Sequence, residues 1–260
     1  MDYIKSGIAV DLFTDEIGVH QLLNLLRQLN LRTGTLIITE KKWQQVLNQK
    51  TTITNEFQDV TILKSSNDFQ RISGNSLGLC LGISEKIPLT VIEKYHFGIL
   101  NFHLGKLPVQ KGANTVNWLI INGEKETELT LHVMTQEIDS GPVLHAVKIP
   151  IDFEDTAVDL LHKMCLALPE FKSSIKDYLN GTLLPLPQKK NIERYFRRRT
   201  PEDGEFNWSM SNMEIYNKIR GLVDPWPGAF FYDKKGNKVL IHHRLDIAEI
   251  ESYRQKHEIE

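Results

Sequence analysis

Gly98-Ile99-Leu100-Asn101-Phe102-His103 opens a stretch that closes with Ile138-Asp139-Ser140-Gly141-Pro142. An apolar run of strand character ends in an amide and an imidazole two residues apart, and the twofold period of a strand puts Asn101 and His103 on one face. Leu107-Pro108-Val109-Gln110-Lys111-Gly112 follows as a loop, Trp118 to Asn122 as a helical run, and Glu128 to Met134 as a second strand leading into the loop that carries Asp139. An amide donor, an imidazole and a carboxylate at adjacent strand ends are the parts an acyl-transfer site needs.

Upstream of this stretch, strand and helix patterns alternate. Gly7 to Phe13 is a short apolar run that suits a buried strand. Thr14 reads as an N-cap with Asp15 and Glu16 in the first turn, and Val19, Leu22, Leu23, Leu25, Leu26 and Leu29 form an apolar helical face. Leu36 to Thr39, Val60 to Leu63 and Leu77 to Leu81 read as further strands, Lys42 to Leu47 as a short helix, and Pro88 opens a helix ending near Tyr95. Downstream, Val143 to Pro150 reads as a strand and Asp155 to about Leu179 as one helix closed by Asn180-Gly181. This alternation predicts an α/β fold, a mostly parallel sheet with helices on both faces. Pro185 and Pro187 mark a linker, so the expected division is a catalytic domain over 1–185 and a small C-terminal α+β domain over 186–260. In that tail Asn212 to Leu222 reads as a helix, and Ala229 to Tyr232 and Lys238 to His242 as strands. No Gly-x-Gly-x-x-Gly follows the first strand, which argues against a nicotinamide dinucleotide.

The 260 residues are enough to bury a sizeable core, and 41% hydrophobic with 25% charged residues is ordinary for a globular chain. A formal net charge of -2 supplies no basic field for nucleic acid or anionic lipid. Cys80 and Cys165 lie in apolar segments and are expected as buried free thiols, which suits a reducing compartment. With no signal-like N-terminus and no run of ~18 apolar residues, a cytoplasmic protein without membrane contact is expected.

Asn101-x-His103, Leu107-Pro108, Gly112, Trp118, Asn122-Gly123-Glu124, Thr130-x-His132-x-Met134 and Asp139-x-Gly141-Pro142 together resemble the formyltransferases that use 10-formyltetrahydrofolate. A second stretch, Asp203-Gly204 through Trp208-Ser209, Ile215 through Arg220 and Pro225-Trp226-Pro227-Gly228-Ala229-Phe230, resembles the segment that follows the catalytic domain in methionyl-tRNA and nucleotide-sugar formyltransferases. The resemblance implies a Rossmann-like fold and formyl transfer from 10-formyltetrahydrofolate to a primary amine, without a metal. By position, Asn101, His103 and Asp139 match the family's catalytic residues. Asn101 and a protonated His103 would steady the oxyanion, with His103 as base or proton relay and Asp139 as its partner.

The folate is expected between the loop of Ile83, Ser84 and Ile87 and the loop of Gln136, Glu137 and Ile138, and the substrate at Lys106, Gln110 and Lys111, just past His103. His132 serves either sheet packing or support of the site. Arg197 to Arg199 form either a solvated face or a phosphate contact. The chain departs from the family in having Gly105 where a serine is common, and Leu81-Gly82-Ile83-Ser84 at the folate loop. It also ends at Glu260, short of a full C-terminal barrel. That ending and the acidic balance disfavour tRNA. The favoured acceptor is an amino sugar carried on a nucleotide, with a homodimer possible. The alternatives are a methionyl-tRNA-like or other amine formyltransferase, and a non-catalytic folate-binding or assembly protein on the same fold.

Overall fold

β1 (Ala9–Thr14) is buried along its whole length, which is the burial of a central strand covered on both faces. The computed structural model describes residues 7–45, 50–190 and 192–258. The chain packs as two units. The first comprises Met1–Lys111, Leu129–Val147 and Cys165–Glu193, and the second Gly112–Glu128, Lys148–Met164 and Arg194–Glu260.

The first unit carries the seven-stranded sheet, in the order β3 (Asp59–Leu63), β2 (Arg32–Thr39), β1, β4 (Leu77–Leu81), β5 (Ile99–His103), β7 (Glu126–Val133), β8 (Val143–Pro150). From β3 to β5 every pairing is parallel, and β5 pairs antiparallel with β7. The expected mostly parallel sheet is therefore present. One face is covered by α1 (Glu16–Leu29) and α7 (Lys172–Leu179), which pack on each other. The other face buries Phe13, Ile37, Cys80 and Ile99 against Phe69 of the 3-10 turn Ser66–Arg71, against Ile87, against Val91 and Ile92 of α4 (Leu89–Ile92), and against Tyr95 beyond it. All six apolar positions expected on the α1 face are buried.

Local chemistry adjusts several boundaries. The cap of α1 is Asp15, whose carboxylate accepts the N–H groups of Ile17 and Gly18. Thr14, expected there, instead donates its hydroxyl to Leu81 O at 2.7 Å and ties β1 to β4. The short helix expected at Lys42 to Leu47 is α2 (Glu40–Gln45), with positions 46 and 47 outside the described residues, and α3 (Lys50–Thr54) follows it. The single helix expected from Asp155 to Leu179 is instead α6 (Ala157–Ala167), a 3-10 turn over Leu168–Phe171, and α7. Pro169, lacking an N–H, stops the α-helical ladder there. Both cysteines are free and buried.

In the second unit, α8 (Asn212–Arg220) starts at a capping box in which Ser211 and Glu214 each accept the other's backbone N–H. Its apolar face packs with α9 (Ile247–Glu258) and with the hairpin of β10 (Ala229–Tyr232) and β11 (Lys238–Ile241) around Phe206, Ile215, Ile219, Phe231 and Ile250. The inserted segments join this core by hydrogen bonds. Asn117, on α5 (Thr115–Ile121), donates to Gly221 O at 2.8 Å, and the fully buried Arg220 donates to Asp155 O at 2.6 Å. Gly112, in the two-residue strand β6 (Lys111–Gly112), lies against β9 (Tyr195–Phe196), where a Cβ would stand 2.2 Å from Phe196 O. Among the described residues no helix is long and apolar enough to cross a membrane.

Candidate active site

Within the sheet-bearing unit, Asn101 and His103 project from the same face of β5, as the strand period requires. Register places His132 of β7 directly opposite Asn101. His132 is 1% exposed, and its two ring nitrogens have distinct partners. Nδ1 lies 3.1 Å from Val133 O and must donate, since a carbonyl can only accept. Nε2 is then the acceptor for the Asn101 amide N–H, at 3.0 Å. Burial, and after it the neighbouring His103, push the His132 imidazole down to about 4, so it is neutral near pH 7. Its 3.8 Å separation from Asp139 is accordingly not an ion pair.

His103 is buried between two acceptors. Its Nε2 lies 2.6 Å from the carbonyl of Gln110, and its Nδ1 lies 3.4 Å from Asp139 Oδ1. Gly105 makes the first contact possible, because a Cβ there would stand 2.8 Å from both Gln110 O and His103 Nε2. Thr130 fixes the turn by donating to Gly105 O at 2.8 Å.

Asp139 reaches this point by an indirect route. Because β7 runs antiparallel to β5, it leaves the sheet beside the start of β5, where Met134 N donates to Ile99 O at 2.8 Å. The loop then turns back so that the carboxylate meets the imidazole. Asp139 adopts a left-handed conformation with φ 51°, a region open to Asp and Asn at modest cost. Gly141 lets the loop close on β7, since a Cβ there would fall 1.7 Å from Val133 O. The structure thus gathers Asn101, His103 and Asp139 with His132 into one cluster. The reacting groups do not include a thiolate: burial pushes Cys80, the register partner of Asn101, up to about 12.

The remaining expected site residues are placed unevenly. Gln110 is buried, and its side-chain oxygen accepts the N–H of Lys106 at 2.8 Å, so it organises its own loop. Lys111 is 3% exposed and donates to Ser140 Oγ at 3.0 Å, beside Asp139. Lys106 is half-buried on the same loop. Ser84, Gln136, Glu137 and Ile138 are exposed, the last by 52%. Ile83 is partly buried, and Ile87 is packed in the apolar core, leaving only its backbone for a ligand. In the second unit Arg197 pairs with Asp203, and its carbonyl accepts Trp118 Nε1–H at 2.9 Å. The alternating pattern of Thr130-x-His132 carried a signal for His132, but its link to Asn101 required the register.

Comparison with known proteins supplies a family and a fold. Residues 37–167 match the formyl transferase family and residues 198–256 its C-terminal domain. The chain is 40% identical over 149 residues to the bifunctional polymyxin resistance protein ArnA of Wigglesworthia glossinidia brevipalpis, a match taking in 53% of this chain and 22% of that protein. The chain thus spans about a fifth of that relative's length. In fold it is similar to a 4-N formyltransferase from Francisella tularensis, with TM-score 0.77 and 19% identity over 92% of this chain and 98% of that one. It is also similar to an N-formyltransferase from Helicobacter canadensis in complex with folinic acid and dTDP-3-aminofucose, with TM-score 0.60 and 21% identity over 83% of this chain and 80% of that one. A match over half of the chain, joined to an amide, an imidazole and a carboxylate at one point of the sheet, places this chain in the formyl transferase family.

Proposed function

We propose that this enzyme moves the formyl group of 10-formyltetrahydrofolate to the primary amine of an amino sugar carried on a nucleotide. The observation that carries the reading is the convergence of Asn101, His103 and Asp139 within a formyl transferase sheet. In the reaction the amine nitrogen bonds to the formyl carbon, the carbonyl oxygen takes the negative charge, and the carbon–nitrogen bond to the folate breaks. The amine loses a proton and the departing folate nitrogen gains one.

One Asn101 amide hydrogen is engaged by His132, which leaves the other for the oxyanion. A proton taken on His103 Nδ1 would lie against the Asp139 carboxylate, 3.4 Å away, where its charge is balanced in a buried setting. The exposed segment 84–86 and the apolar Ile138 suit a flat heteroaromatic donor, while Lys106 and Lys111, on the loop just past His103, offer cationic groups for a diphosphate. The ligands named for the similar Helicobacter enzyme support the acceptor class.

The test is tetrahydrofolate release from 10-formyltetrahydrofolate with a panel of dTDP- and UDP-linked amino sugars, compared with methionyl-tRNA. Product with one of the sugars, lost in His103→Ala, is the expected result. Turnover with tRNA alone would overturn the acceptor, and undiminished turnover in His103→Ala would overturn the site.

A further inference from the structure

We infer that Gln188, in the segment between α7 and the C-terminal unit, is a positioning residue that holds Asp139 in its working conformation. The inference rests on the reading of Asp139 as the partner of His103. Beyond α7 the chain rejoins the sheet-bearing unit: Leu186 and Val143 exchange two backbone hydrogen bonds, each 2.8 Å, as an antiparallel bridge on edge strand β8. Stepping two residues out along both chains of an antiparallel pair brings residue 188 opposite residue 141. There the Gln188 carboxamide nitrogen donates to Asp139 O at 2.8 Å and to Gly141 O at 2.7 Å.

Those two carbonyls bracket the turn that presents the carboxylate. The amide cannot be reversed, because its oxygen would then face two carbonyl oxygens. Asp139 sits at φ 51°, whose modest conformational cost has to be offset by contacts that hold the turn. Other ties act elsewhere on the loop. Lys111 reaches the Ser140 hydroxyl, which itself donates to Ile138 O at 2.9 Å, and Val133 N donates to Pro142 O at 2.9 Å. Gln188 is distinguished from these by holding the main-chain carbonyl of Asp139 itself. Its side chain reaches the loop through two backbone oxygens, so its effect on the chemistry runs through Asp139.

The experiment is a double-mutant cycle on the full chain, with Gln188→Ala, the similarly long but donor-free Gln188→Met, Asp139→Asn, and each Gln188 change combined with Asp139→Asn. With Asp139 intact, either Gln188 change should lower kcat about tenfold and leave KM for the amine within about twofold, the pattern of misplacement at the reacting groups. In the Asp139→Asn background the same changes should alter kcat by less than about twofold, because there is no carboxylate left to position. A stabilising contact without influence on Asp139 would instead act equally in both backgrounds, and that result overturns the inference. Failure of both Gln188 variants to fold would assign the residue to stability and overturn it as well. Near-normal turnover in Asp139→Asn alone is a different outcome, since it removes the reading of Asp139 on which the inference stands.

Discussion

Lowering the pH should destabilise this enzyme through His132 before its carboxylates contribute. In the unfolded chain the imidazole takes a proton near 6.5, whereas in the folded protein burial and the nearby His103 hold it down to about 4. Above pH 6.5 the group is neutral in both states and adds no pH dependence. Between these values the unfolded chain holds the extra proton, so stability falls as the pH falls, by about 1.4 kcal/mol per unit and roughly 3 kcal/mol in all. At 1% exposure the ring is shielded from solvent in the folded state. For a chain of this size that corresponds to a melting temperature lower by about 6–12 °C at pH 4 than at pH 7.

The groups facing the ring are Asp139, which favours its protonation, and His103 and Lys111, which oppose it. Asp68, Asp159, Asp203 and Glu214 are held below the usual carboxylate range, the first three chiefly by hydrogen bonds from Ser65, Thr156 and Arg197 and the last by Ser211. Their stabilisation is present above their unfolded values and is lost at lower pH still, so the window from 6.5 to about 4.5 isolates the histidine. The assay is thermal unfolding across that window for the wild type and for His132→Gln, whose amide oxygen can still accept from Asn101. The variant should show a clearly flatter dependence on pH. Equal slopes in the two proteins would refute the assignment of the acid sensitivity to His132.

Asn101→Ala removes the amide donor and should cost about 10²-fold in kcat, and the double variant with His103→Ala should be far less than multiplicatively worse; turnover of both singles and the double checks this. Gly105→Ala inserts a methyl 2.8 Å from Gln110 O and from the imidazole, so both must yield by roughly half an ångström. It should cost about 1–3 kcal/mol by denaturant titration, together with about tenfold in turnover from displacement of His103. Ser211→Ala removes one half of the α8 capping box and should lower stability by about 1 kcal/mol while leaving kcat unchanged. A loss of turnover at constant fold would instead connect that helix to the chemistry.

The local patterns determined a great deal by themselves. A period of two in Ile99–His103 put Asn101 and His103 on one face, a helical period in 19–29 set the buried face of α1, and uninterrupted apolar strands called for a sheet covered on both sides. Each of these is a property of neighbours along the chain. The tertiary structure alone decided what depends on register and on segments distant in sequence. The pairing of β5 with β7 set His132 against Asn101, and an antiparallel bridge from Leu186 to Val143 delivered Gln188 to the Asp139 loop. It also grouped 112–128 and 148–164 with the tail, through hydrogen bonds such as that from Arg220 to Asp155. A hydrogen bond between residues 31 or 49 positions apart leaves no periodic trace in the sequence, because its geometry exists only once the intervening chain has packed.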